Sequence, residues 1–114
     1  MTSIGKKAFY KCTSLKTITI PSKVKTIEES AFSGCKKLTK ATIGKGVTKI
    51  GKKAFYNCKK LRTVTIKTTK LKSVGKYAFK GIAKKAIIKC PAKKVKKYRK
   101  ILKKSKIART VQIK

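Results

Sequence analysis

The chain has 114 residues, enough for one domain, and its 40% hydrophobic content allows it to bury a core. Its 35 lysine and arginine residues face only two acids, Glu28 and Glu29, which gives a formal net charge of +33. The chain has no His and no Asp. Hydrolytic sites are mostly built from His, Asp and Glu, zinc sites usually need His or clustered Cys, and calcium sites need several carboxylates, so we expect neither enzymatic activity nor a cofactor.

A unit of about 23 residues recurs from the start of the chain to residue 90. The second and third units are complete, the first begins inside the unit, and the fourth starts at Leu71 after one extra residue within 67–70. A single unit of this size cannot close a core, so the units must stack and share one. The sequence therefore predicts a repeat solenoid whose core positions in the second unit are Val24, Ile27, Ala31, Phe32, Cys35, Leu38, Ala41 and Ile43.

Each unit contains one clear strand pattern, at residues 16–20, 39–43 and 62–66, where apolar and polar residues alternate and β-branched residues dominate. Stacked copies of such a strand predict a parallel β-sheet on one face of the solenoid. The preceding Gly-x-x-Ala-Phe-x-x-Cys segment is too short for a full helix. It predicts a short helical or 3-10 turn on the opposite side, with its Phe between the two faces.

The tail has a different pattern. Residues 91–105 carry Val95, Tyr98, Ile101 and Leu102 at helical spacing among lysines, and residues 109–113 resemble a final edge strand. The last unit of a solenoid needs a polar covering. We therefore predict two regions: residues 1–90, which form four repeats of about 23 residues, and residues 91–114, which form a C-terminal cap of one helix and one strand. A membrane-surface, calmodulin-target or nuclear-import segment is the alternative interpretation of this basic helix.

The first unit lacks its opening apolar residue and has no cap before it. Two interpretations fit this pattern: either Met1 begins a truncated piece of a longer protein, or the first unit is exposed. An uncapped repeat exposes an open strand edge, so it also predicts end-to-end self-association through the first repeat. No run of about 18 apolar residues occurs, so no membrane-spanning segment is expected.

The cysteines Cys12, Cys35 and Cys58 share one repeat position. A metal or redox cluster is one interpretation, but a spacing of 23 residues matches no zinc signature, and we favour buried thiols within the core. Cys90 replaces the strand isoleucine of the earlier units and is also interpreted as a core residue. The four tyrosines do not form a base-stacking row, since only Tyr10 and Tyr56 share a repeat position.

The outward-facing residues of the predicted sheet are the candidate binding surface. They form rows of threonines with basic residues beside them, and this is the flattest repeated surface that the pattern predicts. Solvent-facing residues selected for β-propensity are the alternative interpretation. The candidate partner-binding residues are Lys16, Thr17, Thr19, Lys40, Thr42, Arg62, Thr63, Thr65 and Lys89.

The segments Ile27-Glu-Glu-Ser-Ala-Phe-Ser-Gly-Cys-Lys-Lys-Leu and Ile50-Gly-Lys-Lys-Ala-Phe-Tyr-Asn-Cys-Lys-Lys-Leu closely resemble the leucine-rich repeats of the BspA-like bacterial surface proteins. The resemblance covers residues 2–90, and the tail is similar to the C-terminal end of Lys-rich members. It implies the C-terminal part of a secreted or surface-attached bacterial protein, extracellular in location, that serves adhesion or protein binding. It brings no catalytic residues with it.

These observations predict a non-catalytic interaction module that binds a protein or an acidic polymer. The alternative is a sequence-independent polyanion binder, driven by the +33 charge, whose target is nucleic acid, an acidic glycan or a wall polymer. Charge alone does not choose among these partners.

Overall fold

The computed structural model describes residues 2–114 of the chain. Within them lie nine strands, a 3-10 turn and one α-helix. The strands are β1 Ser3–Ile4, β2 Thr17–Thr19, β3 Thr26–Ile27, β4 Lys40–Ile43, β5 Lys49–Ile50, β6 Thr63–Ile66, β7 Ser73–Val74, β8 Ile87–Lys89 and β9 Gln112–Ile113. The 3-10 turn is Ala92–Lys94, and the helix α1 is Val95–Lys104.

The strands form two sheets in which every pair is parallel. The short sheet has the order β1-β3-β5-β7, and the long sheet has the order β2-β4-β6-β8-β9. In the short sheet Ile27 pairs with Ile50, and Ile50 pairs with Val74. The interval from Ile50 to Val74 is one residue longer than the interval from Ile27 to Ile50 because of the extra residue within 67–70. The predicted repeat solenoid with a parallel sheet is therefore confirmed.

The prediction of one strand in each unit was incomplete, because each unit contributes a second, two-residue strand to the short sheet. Segments such as Thr26–Ile27 and Lys49–Ile50 are too short to show an alternating pattern. They are strands because neighbouring units supply their hydrogen-bond partners. For example, the Glu28 amide donates to the Ile4 carbonyl at 2.9 Å.

The turn segments 5–15, 28–38, 51–61 and 75–85 connect the two sheets. They contain i→i+3 hydrogen bonds, as from the Ala31 amide to the Glu28 carbonyl at 3.2 Å. Between these bonds, alternate amides donate to the next unit, as from Phe32 to the Ala54 carbonyl at 2.7 Å. The predicted tight turn is thus a series of single turns separated by left-handed residues, which prevent a continuous helix. The left-handed residues are Lys7, Lys11, Ser30, Gly34, Lys53, Asn57, Tyr77 and Gly81.

The core is built around a column of stacked phenylalanines. The ring centroids of Phe9, Phe32, Phe55 and Phe79 are separated by 5.1, 5.0 and 5.2 Å, and successive rings are within 6° of parallel. The last three rings are buried, whereas Phe9 at the first unit is 37% exposed. The repeat therefore places one aromatic ring per unit directly between the two sheets and the turn segments.

Helix α1 packs against β7 and buries Tyr98 and Leu102. The Tyr98 hydroxyl donates to the Thr68 carbonyl at 2.7 Å and accepts from the Leu71 amide at 3.2 Å. Thr68 is itself buried and donates through its hydroxyl to the Val47 carbonyl at 2.7 Å. The extra residue of the fourth unit thus lies in a loop, and the Tyr98 hydroxyl of the helix is the hydrogen-bond partner of two backbone groups in and beside that loop. The division of the chain at residue 90 stays a prediction.

We expect the melting temperature to rise from low to moderate salt. Charge repulsion at +33 opposes the compact state, and salt shortens its range to about 10 Å at 0.1 M ionic strength. Thermal unfolding followed by circular dichroism over a sodium chloride series tests this. A melting temperature that stays flat or falls over that range would show that self-repulsion does not limit stability.

Candidate interaction surfaces

The predicted binding residues lie on or beside the outer face of the long sheet, which we call the sheet face. Two columns run across its strands in register. One joins Thr17, Lys40 and Thr63, and the other joins Thr19, Thr42, Thr65 and Lys89. These side chains are exposed or half-buried, whereas the intervening Ala41 and Val64 are fully buried. The alternation of each strand thus sends one set of residues to the core and the other to solvent.

Lys16 and Arg62 lie at the N-terminal ends of the long-sheet strands, beside the threonine columns. The Thr39 side chain between them donates to the Lys16 carbonyl at 3.2 Å, and the Arg62 amide donates to the Thr39 carbonyl at 3.1 Å. Both basic side chains are exposed. The structure therefore brings seven of the nine predicted residues together in the two columns of the sheet face, with Lys16 and Arg62 exposed beside them at the N-terminal ends of the strands. This surface combines hydroxyl groups with positive charge.

The cysteines of the repeat form a column inside the turn segments. The Cys35 thiol donates to the Phe9 carbonyl and the Cys58 thiol to the Phe32 carbonyl, each at 3.1 Å. The hydrogen bond with Cys35 and burial raise the pKa of Cys58, and burial raises that of Cys90. Within residues 2–114, no three His, Cys, Asp or Glu side chains are close enough to hold a metal ion.

Alkylation under native conditions should separate these thiols. Cys12 and Cys90 are half-buried, whereas Cys35 and Cys58 are buried. Because iodoacetamide must reach the sulfur atom, we expect it to modify Cys12 and Cys90 before the other two, even though the hydrogen bond with Cys58 lowers the pKa of Cys35 and burial raises that of Cys90. Peptide mass spectrometry at increasing reaction times measures this order. Equal labelling of all four thiols in the folded protein would mean that the cysteine column opens readily.

A cleft of about 620 Å³ lies on the turn segments and was missed by the sequence interpretation. Tyr10 and Tyr56 line it from the first and third units, and the nearly buried Ser33 lies at the same repeat position between them. We call it the tyrosine cleft. The sequence does indicate this cleft, because one repeat position holds a tyrosine in the first and third units and a serine in the second.

The exposed side of α1 carries Lys96, Lys97, Lys100 and Lys103, while Tyr98 and Leu102 face the repeats. In the described part of the chain no helix combines the length and the apolar character that crossing a bilayer requires. The packing of α1 on β7 accounts for its apolar residues.

Residues 1–113 match the model of the BspA type Leucine rich repeat region, with six copies. No curated protein matches the chain. A crystal structure of a leucine-rich repeat protein from Bacteroides ovatus is 28% identical, with a TM-score of 0.81 over 99% of this chain and 28% of that one. The T. pallidum leucine-rich repeat protein is similar in fold, with 24% identity and a TM-score of 0.51 over 82% of this chain and 54% of that one. The chain thus spans about a quarter and about half of the lengths of these two proteins.

Proposed function

Because the chain belongs to the BspA-type leucine-rich repeat family, we propose that it acts as a non-catalytic module that binds acidic partner proteins at a bacterial cell surface. The family match supports a protein-interaction role, and the similarity to a Bacteroides ovatus protein supports a bacterial surface location. The sheet face is the proposed binding surface. Its residues are Lys16, Thr17, Thr19, Lys40, Thr42, Arg62, Thr63, Thr65 and Lys89.

The arrangement of the sheet face is the observation that carries this proposal. The parallel register repeats the hydroxyl groups of Thr19, Thr42 and Thr65 at the strand spacing of about 4.8 Å, and hydrogen bonding holds the backbone beneath them. A rigid surface loses little conformational entropy when a partner docks. The cations Lys40, Arg62 and Lys89 accelerate encounter with an acidic partner, while the ordered threonines provide contacts that depend on shape.

Sequence-independent polyanion binding is the second candidate function, and the net charge of +33 favours it. Lysines occur on every part of the molecule: they line the tyrosine cleft, cover α1 and flank the sheet face. A polyanion held by charge alone would therefore have no preferred face. The two candidate functions differ in what determines binding: the position of charged residues on the sheet face for protein binding, and only the total charge for polyanion binding.

Two double variants with the same change in net charge separate the candidates. K40E/R62E reverses two charges on the sheet face, and K96E/K100E reverses two on the exposed side of α1. Binding to a panel of purified extracellular matrix proteins is measured by surface plasmon resonance. We expect K40E/R62E to weaken binding of a matrix protein about tenfold or more, and K96E/K100E to weaken it no more than about threefold. Equal losses in both variants would favour polyanion binding over a sheet-face site.

A further inference from the structure

The second unit is locally hollow on its turn segment. Where the first unit has Lys7, Tyr10 and Lys11, the second has Ser30, Ser33 and Gly34, and the third has Lys53, Tyr56 and Asn57. These three small residues and the larger ones on both sides all line the tyrosine cleft. Because the units stack in register, the missing side chains of one unit leave a gap between the side chains of its two neighbours. The tyrosine cleft is that gap.

The stacking distance fixes the width of the cleft. The ring centroids of Phe9 and Phe32 are 5.1 Å apart, and those of Phe32 and Phe55 are 5.0 Å apart. In the chain, one tyrosine directly follows Phe9 and the other directly follows Phe55. Tyr10 and Tyr56 are therefore anchored about 10 Å apart, two strand spacings of the solenoid. The centre of a single ring placed midway between them would lie about 5 Å from the centroid of each tyrosine ring, within the range of about 4.5–7 Å for stacked rings.

The cleft is strongly positive and has a polar floor. The Lys7 and Lys11 ammonium groups lie 5.2 and 5.3 Å from the centroid of the Tyr10 ring, and that of Lys53 lies 5.2 Å from the Tyr56 centroid. Thr13, Ser33 and Asn57 add hydrogen-bonding groups to its lining. The lysines that line the cleft are Lys7, Lys11, Lys36, Lys53 and Lys59, against the single acid Glu29.

We propose that the tyrosine cleft binds one sugar ring of an acidic saccharide. Pyranose C–H groups pack against aromatic faces, hydroxyl groups pair with Ser33 and Asn57, and carboxylate or sulfate groups pair with the surrounding lysines. A pyranose ring fits between the two tyrosine rings, and its hydroxyl groups match the polar groups of the lining. The hydrogen-bonding groups and the positive charge together favour an acidic sugar.

This site is separate from the sheet face. It lies on the turn segments and uses none of the nine sheet-face residues. The inference therefore goes beyond the proposed protein-binding function, and either can fail without the other. A protein that carries acidic glycans could engage both surfaces at once, which would increase avidity without any new contact.

The test measures binding of a fully sulfated heparin disaccharide by isothermal titration calorimetry at about 0.15 M salt, where charge effects between exposed groups reach only about 8 Å. Ser33→Tyr fills the cleft with the residue found at the same position in the first and third units, so its fold should tolerate the change. Thr42→Tyr adds the same side chain to the sheet face. We expect Ser33→Tyr and Tyr56→Ala each to weaken binding about tenfold or more, and Thr42→Tyr to leave it unchanged.

Lysine variants provide a charge-matched comparison. Lys59→Gln removes a cation that lines the tyrosine cleft, and Lys40→Gln removes one from the sheet face. We expect disaccharide affinity to fall at least about threefold for Lys59→Gln and not for Lys40→Gln. Equal effects of the two lysine variants would overturn the proposal, as would the absence of measurable binding to the unaltered protein. If an oligothymidylate binds more tightly than the disaccharide and loses that affinity with Ser33→Tyr, the cleft accepts bases and the saccharide assignment is wrong.

Discussion

Replacing Phe55 by Ala lowers the free energy of unfolding by about 3–5 kcal/mol, the range for removal of a fully buried phenylalanine. The Phe55 ring stacks on both Phe32 and Phe79, at 5.0 and 5.2 Å, and is not exposed to solvent. Its loss leaves a cavity in the centre of the column, and the backbone of each unit is held by hydrogen bonds to the next, so the cavity cannot collapse readily. Urea unfolding followed by circular dichroism measures the change.

Phe9→Ala is the matched control, because the residue type and the repeat position are the same. The Phe9 ring stacks on Phe32 alone and is 37% exposed, so we expect a loss of only about 1–2 kcal/mol. The difference between the two variants measures the contribution of stacking on both sides. Equal losses would mean that the column does not act as one core.

Removal of one oxygen atom in Tyr98→Phe destabilises the protein by about 1–3 kcal/mol. The Tyr98 hydroxyl is buried, donates to the Thr68 carbonyl and accepts from the Leu71 amide. Phenylalanine would keep the packing of α1 but leave both backbone groups without that partner. Because a buried polar group without a partner loses its hydration without compensation, the effect is large for so small a change.

Tyr10→Phe serves as the control, since the Tyr10 side chain is 43% exposed and the removal of its hydroxyl leaves no buried backbone group without a partner. We expect its effect on the free energy of unfolding to stay within about 0.5 kcal/mol. The two variants are compared by the same urea measurement. A Tyr98→Phe variant as stable as Tyr10→Phe would show that α1 does not depend on the loop at 67–70.

The repeat was predictable because its apolar spacing is a property of each unit. Phe32 and Phe55 recur at the same step as the cysteines and strand isoleucines, and stacking follows directly from that register. The short sheet was not predictable in the same way. A strand of two residues has no periodic pattern, and only its neighbour across the stack makes it a strand. End-to-end association through the first unit stays a prediction.

The candidate sites were predictable to different degrees. The sheet-face residues could be identified because strand alternation assigns Thr42 and Thr65 to the outside. The tyrosine cleft could not be identified from the second unit alone, because Ser33 is distinctive only beside Tyr10 and Tyr56. The role of Tyr98 depends on the backbone of a loop about 30 residues earlier, which helical spacing does not reveal.

The salt dependence of partner binding tests most directly whether position or total charge determines recognition. The dissociation constants for a bound matrix protein and for duplex DNA are measured in parallel from about 0.05 to 0.5 M salt. We predict that DNA binding disappears by about 0.5 M salt while matrix-protein binding persists and remains sensitive to K40E/R62E. Loss of both partners over the same salt range, with the same slope, would contradict a specific interaction surface and leave a charge-driven polyanion binder.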